Sequence, residues 1–264
     1  MRKIFMLTTF IIITVLALFF LVYYYQERLI FFPEKLEKDF EFDFDSNFTE
    51  RNFEIKNGVT INALHFKTKN PKGVIYYHHG NAGSLAGWGE VGEYFLQYGY
   101  DALIYDFRGF GKSTGIKSES GFYKDAQFIY NVLKKEYEEK DIVLYGRSLG
   151  TGIAAYIASK NNPGSLILES PYYNYIELKK VHFSMIPSFV MRYSFPTNEY
   201  IIDIKGPVTL IHGTDDDLIH PDNSRKLKEI KPDADMYLIE GGHHNDLMGF
   251  DQYPEIMEKI LIKK

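Results

Sequence analysis

The sequence predicts an α/β fold: a mostly parallel sheet with helices on both faces, a short lid insertion and an N-terminal transmembrane helix. Three observations predict it. From about residue 51 short β-rich runs alternate with helical stretches, the pattern of repeated β-α units. Ahead of them Asn57-Gly58 separates two β-rich runs, a strong hairpin signal. Between residues 4 and 25 no charged residue occurs.

Taken in order, residues 4–25 come first. As a helix these 22 residues extend about 33 Å, against roughly 30 Å of bilayer hydrocarbon. A cleaved signal peptide would have a shorter apolar region and a small-residue cleavage site. This run instead leaves through Tyr23, Tyr24 and Tyr25 into Gln26 and Glu27, an interfacial aromatic belt. The expectation is a single-pass anchor over residues 1–25. Arg2 and Lys3 favour an inside amino terminus and a body on the non-cytoplasmic side, while Arg28, Lys35 and Lys38 pull the other way. Residues 26–50 read as a connecting segment, with the run Ile30-Phe31-Phe32-Pro33 and an acidic stretch at 41–45.

One large domain is expected over residues 51–264. Strands are predicted at 53–56, 60–67, 73–79, 102–106, 142–145, 166–169, 208–212 and 236–240. Helices are predicted at 85–98, 120–138, 149–159, 223–229 and 251–262. Residues 172–200 break the alternation and would lie as a lid over the carboxyl ends of the strands. Within it Phe183, Ile186, Phe189, Val190 and Tyr193 recur at 3–4 residue spacing, the apolar face of a short helix. That face would seal the lid onto the core or form a groove for an acyl chain.

Composition narrows the chemistry. A net charge of −5 argues against a nucleic-acid partner. Without any cysteine, disulfides, thiolate metal sites and a cysteine nucleophile are excluded. Gly87 to Gly92 spells G-x-G-x-x-G with Asp106 beyond it, but Gly87 lies eight positions past the end of the strand it should follow, so helix packing accounts for it better than a dinucleotide. Gly111-Lys112-Ser113 lacks the earlier glycine of a P-loop. The pairs His78-His79 and His243-His244 have no accompanying ligand set for a metal.

The G-x-S-x-G pattern occurs twice. Gly146-Arg147-Ser148-Leu149-Gly150 follows a β-rich run and opens a small-residue helix, the context of a nucleophile elbow. Gly111-Lys112-Ser113-Thr114-Gly115 lies in a polar loop and reads as a loop alone. The rival for Ser148 is an ordinary helix-capping serine. A serine hydroxyl needs an imidazole to take its proton and a carboxylate to orient that imidazole. Both should follow in the order Ser, acid, His. Asp215, Asp216 and Asp217 follow the run 208–212, and His243 and His244 follow the last strand. Spacing leaves all three aspartates and both histidines open. An oxyanion hole would take one backbone N–H from Leu149 and another from the turn His79-Gly80-Asn81-Ala82-Gly83.

These motifs, with His212-Gly213-Thr214-Asp215-Asp216 and Gly242-His243-His244-Asn245, resemble the α/β-hydrolase superfamily over nearly the whole chain. More narrowly they resemble its small membrane-anchored serine hydrolases, related to serine aminopeptidase-like hydrolases and protein depalmitoylases. The run Arg28-Leu29-Ile30-Phe31-Phe32-Pro33 is similar to that subgroup too. The resemblance implies Ser148 as nucleophile, Asp216 as acid, His244 as base, and Asn81 with Leu149 at the oxyanion. It implies an acyl ester, thioester or amide substrate, with lipophilic acyl groups among the options, and no metal or organic cofactor. The competing class is a non-catalytic binding protein on the same fold, anchored to present a pocket. Oligomeric state is open at this stage.

Overall fold

The computed structural model describes residues 1–56, 58–182 and 184–262. Asn57 of the hairpin signal and Phe183 of the lid face lie outside the described residues. The chain opens with α1 (Arg2–Tyr25) and the short α2 (Glu27–Ile30). Next come β1 (Phe32–Pro33), β2 (Phe48–Ile55), β3 (Val59–Phe66), β4 (Val74–His78) and β5 (Ala82–Gly83). Helix α3 (Leu85–Leu96), β6 (Asp101–Tyr105), α4 (Glu119–Glu136), β7 (Ile142–Arg147), α5 (Leu149–Lys160) and β8 (Ser165–Glu169) follow. The cap carries α6 (Tyr175–His182) and α7 (Thr197–Tyr200). The chain closes with β9 (Val208–Gly213), α8 (Asp222–Ile230), β10 (Asp235–Ile239) and α9 (Gln252–Leu261).

Eight strands form one sheet in the order β10-β9-β8-β7-β4-β6-β3-β2. Among the described residues only the β2–β3 hairpin and the β3–β6 pair are antiparallel; the remaining pairs are parallel. Strands covered on both faces read as near-continuous apolar runs, and β4, β6, β7 and β8 do, with polar residues only at their ends: His78, Asp101, Arg147, Ser165 and Glu169. Side chains alternate across them. Tyr76, Leu144 and Leu168 enter one core with α4 and α5, whereas Ile75, Val143 and Ile167 enter another with α3 and α9.

Gly89 and Gly92 of α3 admit the rings of Phe44 and Phe66, for an added Cβ would stand 2.1 and 2.3 Å from them. The glycine pattern at 87–92 therefore serves helix packing. Segment 26–50 also does more than connect. Phe31 is buried in the core, and β1 pairs in parallel with β5, Phe32 opposite Ala82. The hairpin starts at Phe48, five residues before the predicted start.

Among the described residues of the cap, the expected helix over the 183–193 face is absent. The helix instead ends at His182, and a single 3₁₀ turn covers Ser188–Val190. Pro187 explains the shift, because it disfavours helical backbone at Ile186 and removes a donor. Val190 and Tyr193 are buried, but Phe189 is 79% exposed.

Burial of three histidines sets a pH dependence. Burial pushes His78 down to about 3 and His79 down to about 4; burial, then Lys67 and Arg51, pushes His65 to about 4. Unfolded, each titrates near 6.5, so between about pH 6.5 and 4 the unfolded chain binds more protons and stability falls with falling pH. Asp106 opposes this: burial pushes its carboxyl up to about 7, so its folded form holds a proton that the unfolded form has released. Burial pushes the Asp125 carboxyl up as well, and three histidines against these two carboxyls leave a net loss of stability as pH falls. Denaturant midpoints measured from pH 6.5 to 4.5 should fall steadily, and a flat or rising series would contradict the buried neutral histidines.

Candidate active site

The site lies at the carboxyl edge of the parallel strands, where β4, β7, β9 and β10 deliver their loops. Between β7 and α5 the chain turns within one residue, Ser148, whose φ of 50° and ψ of −117° are strained for a non-glycine. Two glycines permit this turn. A Cβ on Gly150 would stand 2.0 Å from the His78 carbonyl, and one on Gly146 would stand 2.6 Å from the Gly150 carbonyl. Ser148 occupies the N-cap position of α5, yet its side chain makes no capping hydrogen bond. Ser84 and Ser118, at the starts of α3 and α4, do cap their helices. The Ser148 hydroxyl is turned elsewhere: its Oγ lies 3.0 Å from His244 Nε2.

On its other side the imidazole meets a carboxylate, His244 Nδ1 standing 2.8 Å from Asp216 Oδ2. Asp216 is 2% exposed, while Asp215 and Asp217 face solvent. The amides of Leu218 and Ile219 donate to its other oxygen at 3.0 and 2.8 Å. His212 Nε2 lies 3.2 Å from Asp216 Oδ2 and 2.6 Å from the Ile219 carbonyl; both are acceptors, so this nitrogen carries the proton. Burial alone would push the Asp216 carboxyl up. The hydrogen bonds from His212 and His244 outweigh it and hold the group well below the usual carboxylate range. An ionised Asp216 accepts only, which puts the His244 proton on Nδ1 and leaves Nε2 to accept from Ser148. His243 is exposed, with Nδ1 2.8 Å from the Asp215 carbonyl.

Leu149 is the first residue of α5, so its N–H has no intrahelical partner. Gly80 brings the β4 turn beside it, since a Cβ there would lie 3.9 Å from Ser148 Cβ. The Asn81 side-chain amide donates to the Ile30 carbonyl at 2.8 Å, and Phe32 N–H donates to the Asn81 carbonyl at 2.8 Å. The 30–33 run thus braces the turn that carries Asn81. By contrast Ser113 is buried as a strut, donating to the Asp106 carbonyl and accepting from Asn62 N–H.

Arg147 and Glu169 were invisible to sequence reasoning. Arg147 Nε donates to Glu169 at 2.8 Å, and its Nη2 donates to the His244 carbonyl and to Asn245, both at 2.9 Å. This guanidinium ties the residue before Ser148 to the histidine loop. Nothing marks the second position of G-x-S-x-G for that role, and His212 is equally unmarked. A cavity of about 290 Å³ opens at Ser148. Its walls include Val22 of α1, Leu29 and Ile30 of α2, and Leu178, Ile186 and Met191 of the cap.

Fold and site together define an α/β-hydrolase with a serine, a histidine and an aspartate in one hydrogen-bonded line. The likeness to solved structures agrees on the fold. The Pyrococcus furiosus esterase Pf2001 superposes with a TM-score of 0.69 at 20% identity, over 89% of this chain and 96% of that one. Est1E from Butyrivibrio proteoclasticus gives 0.63 at 17% identity, over 80% and 96%. Within that fold the chain belongs to the family described as serine aminopeptidase, S33, whose model matches residues 69–201. Curated relatives include the lysophosphatidylserine lipase ABHD12 of Danio rerio, 33% identical over 62% of this chain and 48% of the relative. Another is the alpha/beta hydrolase domain-containing protein 17C of Xenopus tropicalis, 29% identical over 71% of this chain and 61% of the relative. The chain spans about half the length of the first of these. Among the described residues α1 is the one helix long and apolar enough to cross a membrane, with mean hydropathy 2.8 and no residue of that window buried.

Proposed function

We propose that this protein is a membrane-anchored serine hydrolase that cleaves lipophilic acyl esters, thioesters or amides through an acyl-enzyme on Ser148. The observation that carries the reading is the line Ser148–His244–Asp216, with contacts of 3.0 and 2.8 Å. His244 Nε2 takes the Ser148 proton as Oγ attacks the acyl carbonyl. The developing oxyanion lies toward the N–H groups of Leu149 and Asn81. Collapse expels the leaving group, which receives the proton from His244, and water then releases the acyl chain by the same steps in reverse roles. Asp216 stays ionised and keeps the imidazole in the useful tautomer. Apolar cavity walls and the name of the lipase relative both support a lipophilic substrate. Arg2 and Lys3 ahead of α1 support a body on the non-cytoplasmic side, against the pull of Arg28, Lys35 and Lys38 beyond it.

Matched panels of p-nitrophenyl esters, acyl thioesters and aminoacyl amides test the reading. Turnover should rise from acetyl to longer acyl groups, because each added methylene gains about 0.8 kcal/mol in an apolar pocket. Folded protein that turns over none of the three classes would hand the case to the binding-protein alternative.

A further inference from the structure

The cap and the anchor touch at a depth that membrane geometry can fix. The uncharged run 4–25 extends about 33 Å, so little of it lies outside roughly 30 Å of hydrocarbon. Phe19 stands six residues before the end of α1 at Tyr25, about 9 Å further along the axis. Phe189 of the cap meets Phe19 edge to face, with ring centroids 5.8 Å apart. A ring in contact with Phe19 shares its depth. Within the same cap segment other large apolar side chains are uncovered, with Met185 94% and Val181 78% exposed. Three such side chains on one surface segment mark a site that something apolar covers.

The polar contacts lie one turn nearer the helix end. Arg192 stacks over Tyr23 at 5.6 Å and pairs with Glu27 at 3.0 Å, where an interfacial belt belongs. Buried Gln26 locks the two parts together. Its Nε2 donates to the Val190 carbonyl at 3.1 Å, and its Oε1 accepts from Arg192 N–H at 2.9 Å. With the cap backbone pinned to the end of α1, the anchor sets the depth of the cap. The active-site cavity has Val22 on one wall and Ile186 and Met191 on another, so its mouth lies between anchor and cap.

We propose that Val181, Met185 and Phe189 insert into the leaflet that holds the end of α1, and that the acyl chain of a membrane lipid enters the cavity laterally between α1 and the cap. The occupant of the exposed apolar face is the bilayer. This rests on α1 being a membrane anchor and on the hydrolase reading of Ser148, and it adds the route by which substrate arrives.

The absence of native cysteine allows a single label at Met185→Cys on the full chain. In phosphatidylcholine vesicles a nitrobenzoxadiazole label there should be quenched by shallow doxyl-labelled lipid and shielded from aqueous iodide. A label at Glu138→Cys, on an exposed side chain, should show the reverse. Iodide quenching at Met185→Cys equal to that at Glu138→Cys overturns cap insertion. As a second arm, Met185→Asp/Phe189→Asp should slow hydrolysis of a long-chain ester carried in vesicles by about tenfold or more, given the apolar burial lost from two large side chains. Turnover of soluble p-nitrophenyl butyrate should stay within about twofold, because neither side chain borders the cavity. Equal losses on both substrates would overturn lateral entry. Carbonate release of wild-type protein would overturn the anchor, and absence of butyrate turnover in wild type would overturn the hydrolase reading. The label experiment needs the anchor, which carbonate washing checks separately, and it is independent of the hydrolase reading.

Discussion

Ser148→Ala is expected to lose about 10⁶-fold in kcat on acyl esters, leaving roughly 10³–10⁴ over the uncatalysed rate from oxyanion stabilisation and binding. The expectation follows from where the hydroxyl points. It caps no helix, stands 3.0 Å from His244 Nε2, and is 6% exposed where it lines the cavity. A fluorophosphonate probe should label the wild type and spare Ser148→Ala. Ser113→Ala should keep its label, since the Ser113 hydroxyl is spent on the Asp106 carbonyl. Ser148→Ala should stay folded, because losing one hydroxyl removes no apolar burial and no hydrogen bond that holds α5. Its thermal midpoint should match wild type within a few degrees. Labelling that persists in Ser148→Ala would place the nucleophile elsewhere.

The second large effect belongs to the doubled residues. Asp216→Asn should lower kcat by about 10⁴-fold, or roughly 5.5 kcal/mol of transition-state stabilisation. An amide in place of the carboxylate can present N–H to His244 and favour the tautomer with its proton on Nε2, where it cannot accept from Ser148. The loss should appear in kcat with KM nearly unchanged, since Asp216 does not border the cavity. Asp215→Asn and Asp217→Asn, both exposed, should each cost less than about threefold, within the range of neutral surface changes. His244→Ala should match Ser148→Ala in severity because the two act as a unit. His243→Ala should cost far less, for its ring is exposed and turned to the Asp215 carbonyl. A larger loss at Asp215, Asp217 or His243 than at its neighbour would overturn these assignments.

The sheet was legible because its strands carry their own signal. The runs at 73–79, 142–145 and 166–169 are apolar at nearly every position, as burial on both faces demands, and they coincide with β4, β7 and β8 to within a residue or two. The cap was less legible. Its 3–4 residue spacing points to a helix over 183–193, but Pro187 breaks the backbone that spacing assumes, and the helix forms earlier, at Tyr175–His182. Spacing records which side chains are apolar, and it does not weigh the backbone that must carry them.

The sequence by itself determined the order of the β-α units, the elbow context of Ser148 and the apolar length of α1, because each depends on residues close together in the chain. It left three aspartates beside two histidines, since neighbours in sequence share the same local pattern. The resemblance singles out Asp216 and His244, and the tertiary structure gives the physical reason. Asp216 turns inward to meet His244 across 28 residues of chain, while its neighbours turn to solvent. The same holds for Arg147, whose partners Glu169, His244 and Asn245 are up to 98 positions away. It holds too for Gln26, which reaches the cap across 164. Contacts of that separation leave no periodicity in the chain; they exist once the sheet has brought its loops to one edge, and the site is assembled there.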